Sequence, residues 1–186
     1  MNEVAKTVEA YLNRHGTERS RLAVLLDRID QRTAITSRST ITGHVTCSAI
    51  LIDPSWRVLH IRHNALDRWL RPGGHLERTD TSLVGAALRE VEEETRIPAG
   101  DPILLDPLPI DIDVHPIPAN PAKNEPDHWH FDLRYAFGLG SAAEVILQEE
   151  EVSGATWLAF EEIEPAVIQK KLRVLRSAGS HTHSAC

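Results

Sequence analysis

The chain has 186 residues, of which 41% are hydrophobic and 25% are charged, and its formal net charge is −7. These values are ordinary for a globular protein and suit one domain with an appendage. The acidic balance argues against a general nucleic-acid or anionic-membrane binder, but a phosphate-bearing small molecule remains compatible because a bound metal can supply positive charge.

The first 40 residues predict two amphipathic helices. Residues 3–14 have apolar side chains at helical spacing, namely Val4, Val8, Tyr11 and Leu12. Ser20 is placed to cap the second helix, whose apolar residues are Leu22, Leu25, Leu26 and Ile29. We assign residues 1–40 as an N-terminal helical extension. It either packs on the core or contributes to a homodimer interface, and packing is favoured.

Residues 41–178 are predicted to form one α/β domain. Residues 45–53 are apolar on both alternations, as in a strand covered on both faces, and residues 57–63 form its partner strand after a turn. A glycine turn at 73–74 precedes a helix from Ser82 to about residue 95. A short strand at 155–158 and a helix from about 162 to 176 follow. Residues 179–186 are assigned as a disordered tail.

Two further segments alternate between apolar and polar residues. In the first, Asp111, Asp113 and His115 alternate with isoleucine and valine, and in the second, residues 128–135, histidine, aspartate and arginine alternate with large apolar residues. Both are predicted strands with one polar face. If they pair antiparallel, three histidines converge near the proline-rich loop 116–127, with an aspartate and an arginine further along: His115, His128, His130, Asp132 and Arg134.

Three interpretations of this polar face stay open. It is a solvent-facing side of the sheet, or a substrate cleft in which histidines and Arg134 contact phosphate or a base, or a second metal site of the His/Asp type that suits Zn²⁺ or Mn²⁺.

The helix after the glycine turn carries three carboxylates on one side. At about 100° per residue, Glu90, Glu93 and Glu94 share a face. The opposite face is apolar and can pack inward: Val84, Ala87, Leu88 and Val91. Like charges this close repel one another, and a hard cation such as Mg²⁺ reverses that repulsion. A solvated acidic face is the alternative for the glutamates taken alone.

Cysteine usage and hydropathy indicate a compartment. Cys47 and Cys186 lie far apart, so a reducing cytoplasm without a disulfide framework is expected. We find no apolar run long enough for a membrane span and no signal-peptide core, so no membrane partner is expected.

Residues 74–97 resemble the Nudix box, in which a glycine and a glutamate precede the pattern Arg-Glu-apolar-any-Glu-Glu-any-Gly-apolar. Gly74 matches the first glycine, and the second half matches at Arg89, Glu90, Val91, Glu93, Glu94 and Ile97. Three features depart from the pattern. Asp80 replaces the first glutamate, one extra residue separates it from Arg89, and Arg96 stands at the final glycine.

The resemblance implies a mixed β-sheet sandwiched between helices and a hydrolase of diphosphate bonds that uses Mg²⁺ or Mn²⁺. It implies metal ligation by Glu90, Glu93 and Glu94 and by the carbonyl of Gly74. Arg89 is implied to hold the helix to its loop, with Glu77 or Asp80 as partner. The resemblance implies a small-molecule diphosphate substrate, with a nucleotide favoured.

The general base stays open between Glu93 and a later acidic run, in which Glu151 is favoured over Glu149 and Glu150. Trp69 either stacks on a base of the substrate or packs in the core, and Arg71, which also precedes the glycine turn, is a further substrate-binding candidate. His75 either contacts phosphate or is an exposed histidine of the turn. A Nudix-fold sensor with little turnover is the alternative function, motivated by the altered box and the N-terminal helices.

Overall fold

A computed structural model describes residues 2–64, 67–121, 124–141, 143–148, 150 and 152–182. The described helices are α1 Asn2–Arg14, α2 Ala23–Asp30, α3 Leu83–Thr95 and α4 Ala166–Thr182, with 3₁₀ helices at Gly16–Leu22 and Phe160–Glu162. The strands are β1 His44–Ile52, β2 Arg57–His63, β3 Arg68–Leu70, β4 Gly73–His75, β5 Ile103–Leu104, β6 Asp111–Ile117, β7 His128–Gly138 and β8 Val152–Ala159.

The eight strands form one mixed sheet, which confirms the predicted α/β class. Strand β1 runs parallel to β7 over its whole length, from His44 beside His130 to Ile52 beside Gly138. Strands β2 and β4 share the other edge of β1, both antiparallel to it. Strands β5 and β6 pair antiparallel with β7, and β8 pairs antiparallel with β2.

Helices cover both faces of the sheet, as predicted for β1, although the first half of this strand is polar on one of the two faces. On one face Val45, Cys47 and Ala49 belong to a core cluster with the inner sides of α1, α2 and α3. On the other face Ile50 and Ile52 pack in a second cluster with α4. Because side chains alternate along a strand, the polar His44, Thr46 and Ser48 lie on this second face, beyond the end that α4 covers.

The N-terminal helices pack on the core, which confirms the favoured prediction. Val4, Val8 and Tyr11 are at most 1% exposed and belong to the same cluster as the apolar residues of α3. The predicted cap at Ser20 is wrong, because Ser20 lies inside the 3₁₀ helix Gly16–Leu22 and α2 begins after Leu22 without a side-chain cap.

The last helix differs from its prediction at both ends. Phe160–Glu162 forms a separate 3₁₀ turn, and α4 begins at Ala166, directly after Pro165. Proline is readily accommodated where a helix begins. The helix continues to Thr182, past the expected domain end at 178, and residues 183–186 lie outside the described part of the chain. Within the described residues, no helix combines the length and hydrophobicity needed to cross a bilayer.

Candidate functional site

The glycine turn is fixed against the sheet, and α3 starts from it with a capped end. Gly73 and Gly74 lie in β4, opposite Ser48 and Cys47 of β1. The Ser82 hydroxyl accepts a hydrogen bond from the Gly85 amide at 3.0 Å, which caps α3 where the sequence predicted its start.

Arg89 ties the helix to the turn through a forked ion pair with Asp80. Its Nε donates to Asp80 Oδ1 at 3.0 Å and its Nη2 to Oδ2 at 3.2 Å, while Nη2 also donates to the His75 carbonyl at 2.8 Å. Asp80 is therefore the partner, and Glu77 instead donates its backbone amide to Asp80 at 2.8 Å. Burial opposes the charge on Asp80, but Arg89 outweighs it and lowers the pKa of that carboxyl.

Two of the box glutamates, Glu90 and Glu94, contact the glycine turn, and Glu93 pairs with Arg89. Glu90 Oε1 and Glu93 Oε2 accept from Arg89 Nη1 at 3.0 and 2.9 Å. Glu94, 4% exposed, accepts from the Gly73 amide at 3.0 Å. A Cβ on Gly74 would overlap the Glu90 carboxylate, so a larger residue there would displace that side chain from the turn. These oxygen donors fit a hard divalent cation such as Mg²⁺.

At the end of α3, Arg96 takes the place of the final glycine of the box. Arg96 itself adopts the left-handed conformation, with φ of 57°, and its amide donates to the Glu92 carbonyl at 3.0 Å. The helix therefore ends at Thr95, as predicted, although a non-glycine residue carries the cost of that conformation.

The two alternating segments pair antiparallel, as predicted. His115 lies opposite His130 and Asp113 opposite Asp132. Asp132 and Arg134 are each only 6% exposed, which excludes a fully solvent-facing polar side. The polar face is thus enclosed along its inner part and more open near the histidines.

Arg134 is held by three carboxylates. It donates to Asp132 at 2.8 Å, to Asp111 at 3.2 Å and to Asp113 at 2.7 Å. Burial opposes the charge on Arg134, but these aspartates raise its pKa above the usual range. Its phosphate-binding role stays a prediction, and in this arrangement a phosphate must compete with three internal partners.

Trp69 and Arg71 occupy different environments. Trp69 is 44% exposed, with its ring edge near Gly154 of β8. Arg71 donates to the Glu164 carbonyl at 3.3 Å, and burial together with the neighbouring Arg134 lowers the pKa of its guanidinium to about 10. Their substrate-binding roles stay predictions. Glu149 and Glu151 lie outside the described residues, so Glu151 also stays a prediction.

His44 is a site residue that the sequence analysis did not single out, and it lies beside His75, the histidine that follows the box glycine. Ligand nitrogens of His44, His75 and His130 lie within 4.8 Å of one another, and the ring of His128 stacks on His44 with centroids 5.0 Å apart. The alternation of His44, Thr46 and Ser48 was an available signal, but the parallel register that sets His44 beside His130 cannot be read from sequence.

Comparisons with known proteins agree with this geometry. The NUDIX domain model matches residues 42–177. The fold is similar to the Escherichia coli dihydroneopterin triphosphate pyrophosphohydrolase, with TM-score 0.54 and 18% identity over 69% of this chain and 92% of that one. It is also similar to a Caenorhabditis elegans Ap4A hydrolase, with TM-score 0.53 and 16% identity over 74% of this chain and 98% of that one.

Two curated relatives match shorter segments. A probable DHNTP pyrophosphohydrolase of Lactococcus lactis is 35% identical over 83 residues, 45% of this chain and 47% of that protein. An uncharacterized Nudix hydrolase of Escherichia fergusonii is 43% identical over 53 residues, 28% of this chain and 27% of that protein. The chain therefore spans less than half the length of these relatives. The family model nevertheless covers most of the chain, and the glycine turn, the Arg89 fork and the three glutamates occupy the positions of its box: this chain belongs to the Nudix family.

Proposed function

We propose that the protein is a metal-dependent hydrolase that cleaves the diphosphate bond of a nucleoside triphosphate or a nucleoside diphosphate derivative. The observation that carries this proposal is that the interactions of Arg89, which hold the box loop to the box helix, are all present. Arg89 bridges the loop and the helix through Asp80 and the His75 carbonyl, and Glu90 and Glu94 contact the glycine turn despite the altered sequence.

The proposed ligands for Mg²⁺, or alternatively Mn²⁺, are Glu90, Glu93, Glu94 and the carbonyl of Gly74. Such an ion, when bound, neutralises phosphate charge and lowers the pKa of an attacking water. Glu94 is restrained by the Gly73 amide, and Glu90 lies against Gly74, so these two carboxylates are oriented by the turn. Glu93 is more exposed, with half of its side-chain surface accessible, which suits a group that meets substrate and water.

The remaining roles follow the same hypothesis. Glu93 or Glu151 orients or deprotonates the water, and Arg89 positions the carboxylates. Trp69 stacks on the base, and Arg71, Arg134 and the histidines His115, His128 and His130 contact the rest of the substrate. The N-terminal helices bury their apolar sides on this chain's own core, so we expect a homodimer, if one forms, to use other surfaces.

The test is a substrate panel followed by phosphorus NMR in ¹⁸O-labelled water with Mg²⁺. The panel includes nucleoside triphosphates, nucleotide sugars, Ap4A and dihydroneopterin triphosphate, because relatives bear the names of the last two substrates. We expect one class to be hydrolysed, with the label showing which phosphorus is attacked. Glu93→Gln and Glu94→Gln should each lower kcat at least a hundredfold.

Glu92→Gln is the matched control, because Glu92 directly precedes Glu93 on α3 but is exposed, and its carboxylate accepts from the Ala99 amide at 3.3 Å. It should retain most of the activity. Full activity of the Glu93 and Glu94 variants, or full activity in excess chelator, contradicts the proposal.

The sensor alternative loses part of its motivation in the structure. The shortened Asp80 still forms the fork with Arg89, and Arg96 still ends the helix, so the departures leave the box assembled. Nucleotide-induced thermal stabilisation without turnover across the whole panel would favour the sensor.

A further inference from the structure

A cluster of imidazoles lies beside the box but contains none of its glutamates. His44 begins β1, His75 ends β4 and His130 lies in β7, and one ring nitrogen from each lies within 4.8 Å of the other two. Among the described residues, no other group of three or more His, Cys, Asp or Glu side chains brings its ligand atoms this close together. The ligands come from three strands of one sheet, so the backbone that holds them is rigid.

His44 presents a buried nitrogen without a partner. The residue is 4% exposed, and its Nδ1 lies 3.4 Å from the Thr40 carbonyl. A carbonyl only accepts hydrogen bonds, so the proton is on Nδ1 and the lone pair is on Nε2. That Nε2 is buried and has no hydrogen-bond partner among the described residues. A fixed tautomer with an unused lone pair is the arrangement that metal-binding histidines commonly have.

We propose that His44, His75 and His130 bind a borderline divalent metal ion, with Zn²⁺ as the preferred ion, at a site separate from the box glutamates. Three nitrogen ligands suit Zn²⁺ and disfavour Mg²⁺, which prefers oxygen. Zinc–nitrogen bonds of about 2.0–2.1 Å place tetrahedral ligands roughly 3.4 Å apart, so the rings close by about an ångström on binding. His75 and His130 are only partly buried and can rotate, and the fourth position is left for water.

The site is coupled to the box through the chain itself. His75 follows Gly74 directly, and its carbonyl accepts from Arg89 at 2.8 Å. An ion on the His75 ring therefore restrains the backbone that carries the glycine turn. Occupancy of the histidine site should stiffen the turn even when the box holds no metal.

The experiment is direct metal titration of the full chain, without an affinity tag and stripped with chelator. We expect Zn²⁺ to bind at one histidine site by calorimetry, and Co²⁺ to give the intense visible bands of tetrahedral nitrogen coordination. His130→Ala and His75→Asn should each weaken Zn²⁺ binding at least tenfold and abolish the Co²⁺ bands. Because His44 is buried, its variant is used only if its circular dichroism matches that of the parent.

Two controls separate this site from another histidine of the sheet and from the box. His63→Ala alters a histidine at the far end of β2 and should leave Zn²⁺ affinity unchanged. Glu94→Gln should also leave Zn²⁺ affinity and the Co²⁺ bands unchanged, whatever it does to hydrolysis. Undiminished binding in His130→Ala and His75→Asn overturns the proposal. So does loss of the bands in Glu94→Gln, which would assign the metal to the box.

Discussion

Replacement of Asp111 by asparagine should destabilise the protein strongly, because this carboxylate is the fully buried centre of an ion network. Its Oδ1 accepts from Arg21 at 2.7 Å and from Lys171 at 2.9 Å, and its Oδ2 accepts from Arg134 at 3.2 Å. The side chain is 0% exposed. Asparagine preserves its shape but leaves the cations with one fewer negative partner.

Breaking a buried ion pair by removing one partner costs about 3–5 kcal/mol. Because asparagine keeps one acceptor oxygen, we expect about 3 kcal/mol. For a chain of this length that loss corresponds to a fall in Tm of about 6–12 °C. With a urea m-value of about 2 kcal/mol/M, it corresponds to a midpoint lower by about 1.5 M. Urea titration followed by tryptophan fluorescence measures it.

The loss should depend on pH in a defined direction. Burial opposes ionisation of Asp111, but Arg21 and Lys171 outweigh it and lower the pKa of the carboxyl below 3.8. A lowered carboxyl pKa contributes stability that is present above the ordinary pKa and is lost as pH falls through the folded-state value. The difference between the parent and Asp111→Asn should therefore be constant from about pH 5 to 7 and shrink below about pH 4.

Asp27→Asn is the matched control, because Asp27 forms an exposed pair with Arg28 at 2.8 Å. It should cost less than about 0.5 kcal/mol. The reasoning fails if Asp111→Asn costs no more than this control at pH 7, or if its cost persists unchanged in acid where the parent remains folded.

Three further outcomes follow from the site. Arg89→Lys should lower kcat about a hundredfold, because an ammonium cannot form the forked ion pair that the guanidinium makes with Asp80. Arg78→Lys, on the exposed turn, should leave kcat unchanged. Equal kcat values for these two variants in steady-state assays would refute the positioning role of Arg89. Gly74→Ala should raise the Mg²⁺ concentration needed for half-maximal rate at least tenfold, because a methyl group displaces Glu90, and an unchanged metal dependence would contradict that contact. Cys47, fully buried and with its pKa raised by burial, should react with a thiol reagent only after urea unfolding; rapid labelling of the folded protein would show that β1 is not covered on that face.

Local patterns predicted the box helix and the polar strand pair well, because each depends on residues close in sequence. The position of α3 follows from its Ser82 cap and its apolar spacing, and the convergence of His115 with His130 follows from two alternating strands around one loop. The box resemblance supplied the proposed metal ligands, which the helix face alone left ambiguous.

Contacts set by long-range register were not predictable. His44 meets His130 only because β1 lies parallel to β7, a pairing between segments 86 positions apart that has no local signature. The ion pairs of Arg134 with its three aspartates, and of Arg21 with Asp111, likewise depend on how the strands pair and how the helices pack on the sheet. The Ser20 prediction failed for a related reason, because a good capping residue was overridden by the 3₁₀ segment that places Arg21 in the buried network.

The junction of Tyr11, Asp111 and Lys171 has a consequence for synthesis on the ribosome. The Lys171 ammonium donates to the Tyr11 hydroxyl at 2.6 Å and to Asp111 at 2.9 Å, and so connects α1, β6 and α4. Domains are made N-terminus first, so Tyr11 and Asp111 emerge long before their shared cation. Until α4 emerges, Asp111 has Arg21 and Arg134 as cationic partners, but the ammonium that joins it to Tyr11 is absent. Completion of α4 is thus the event that closes the structure, and a chain stalled before Lys171 should be readily cut by protease near α1.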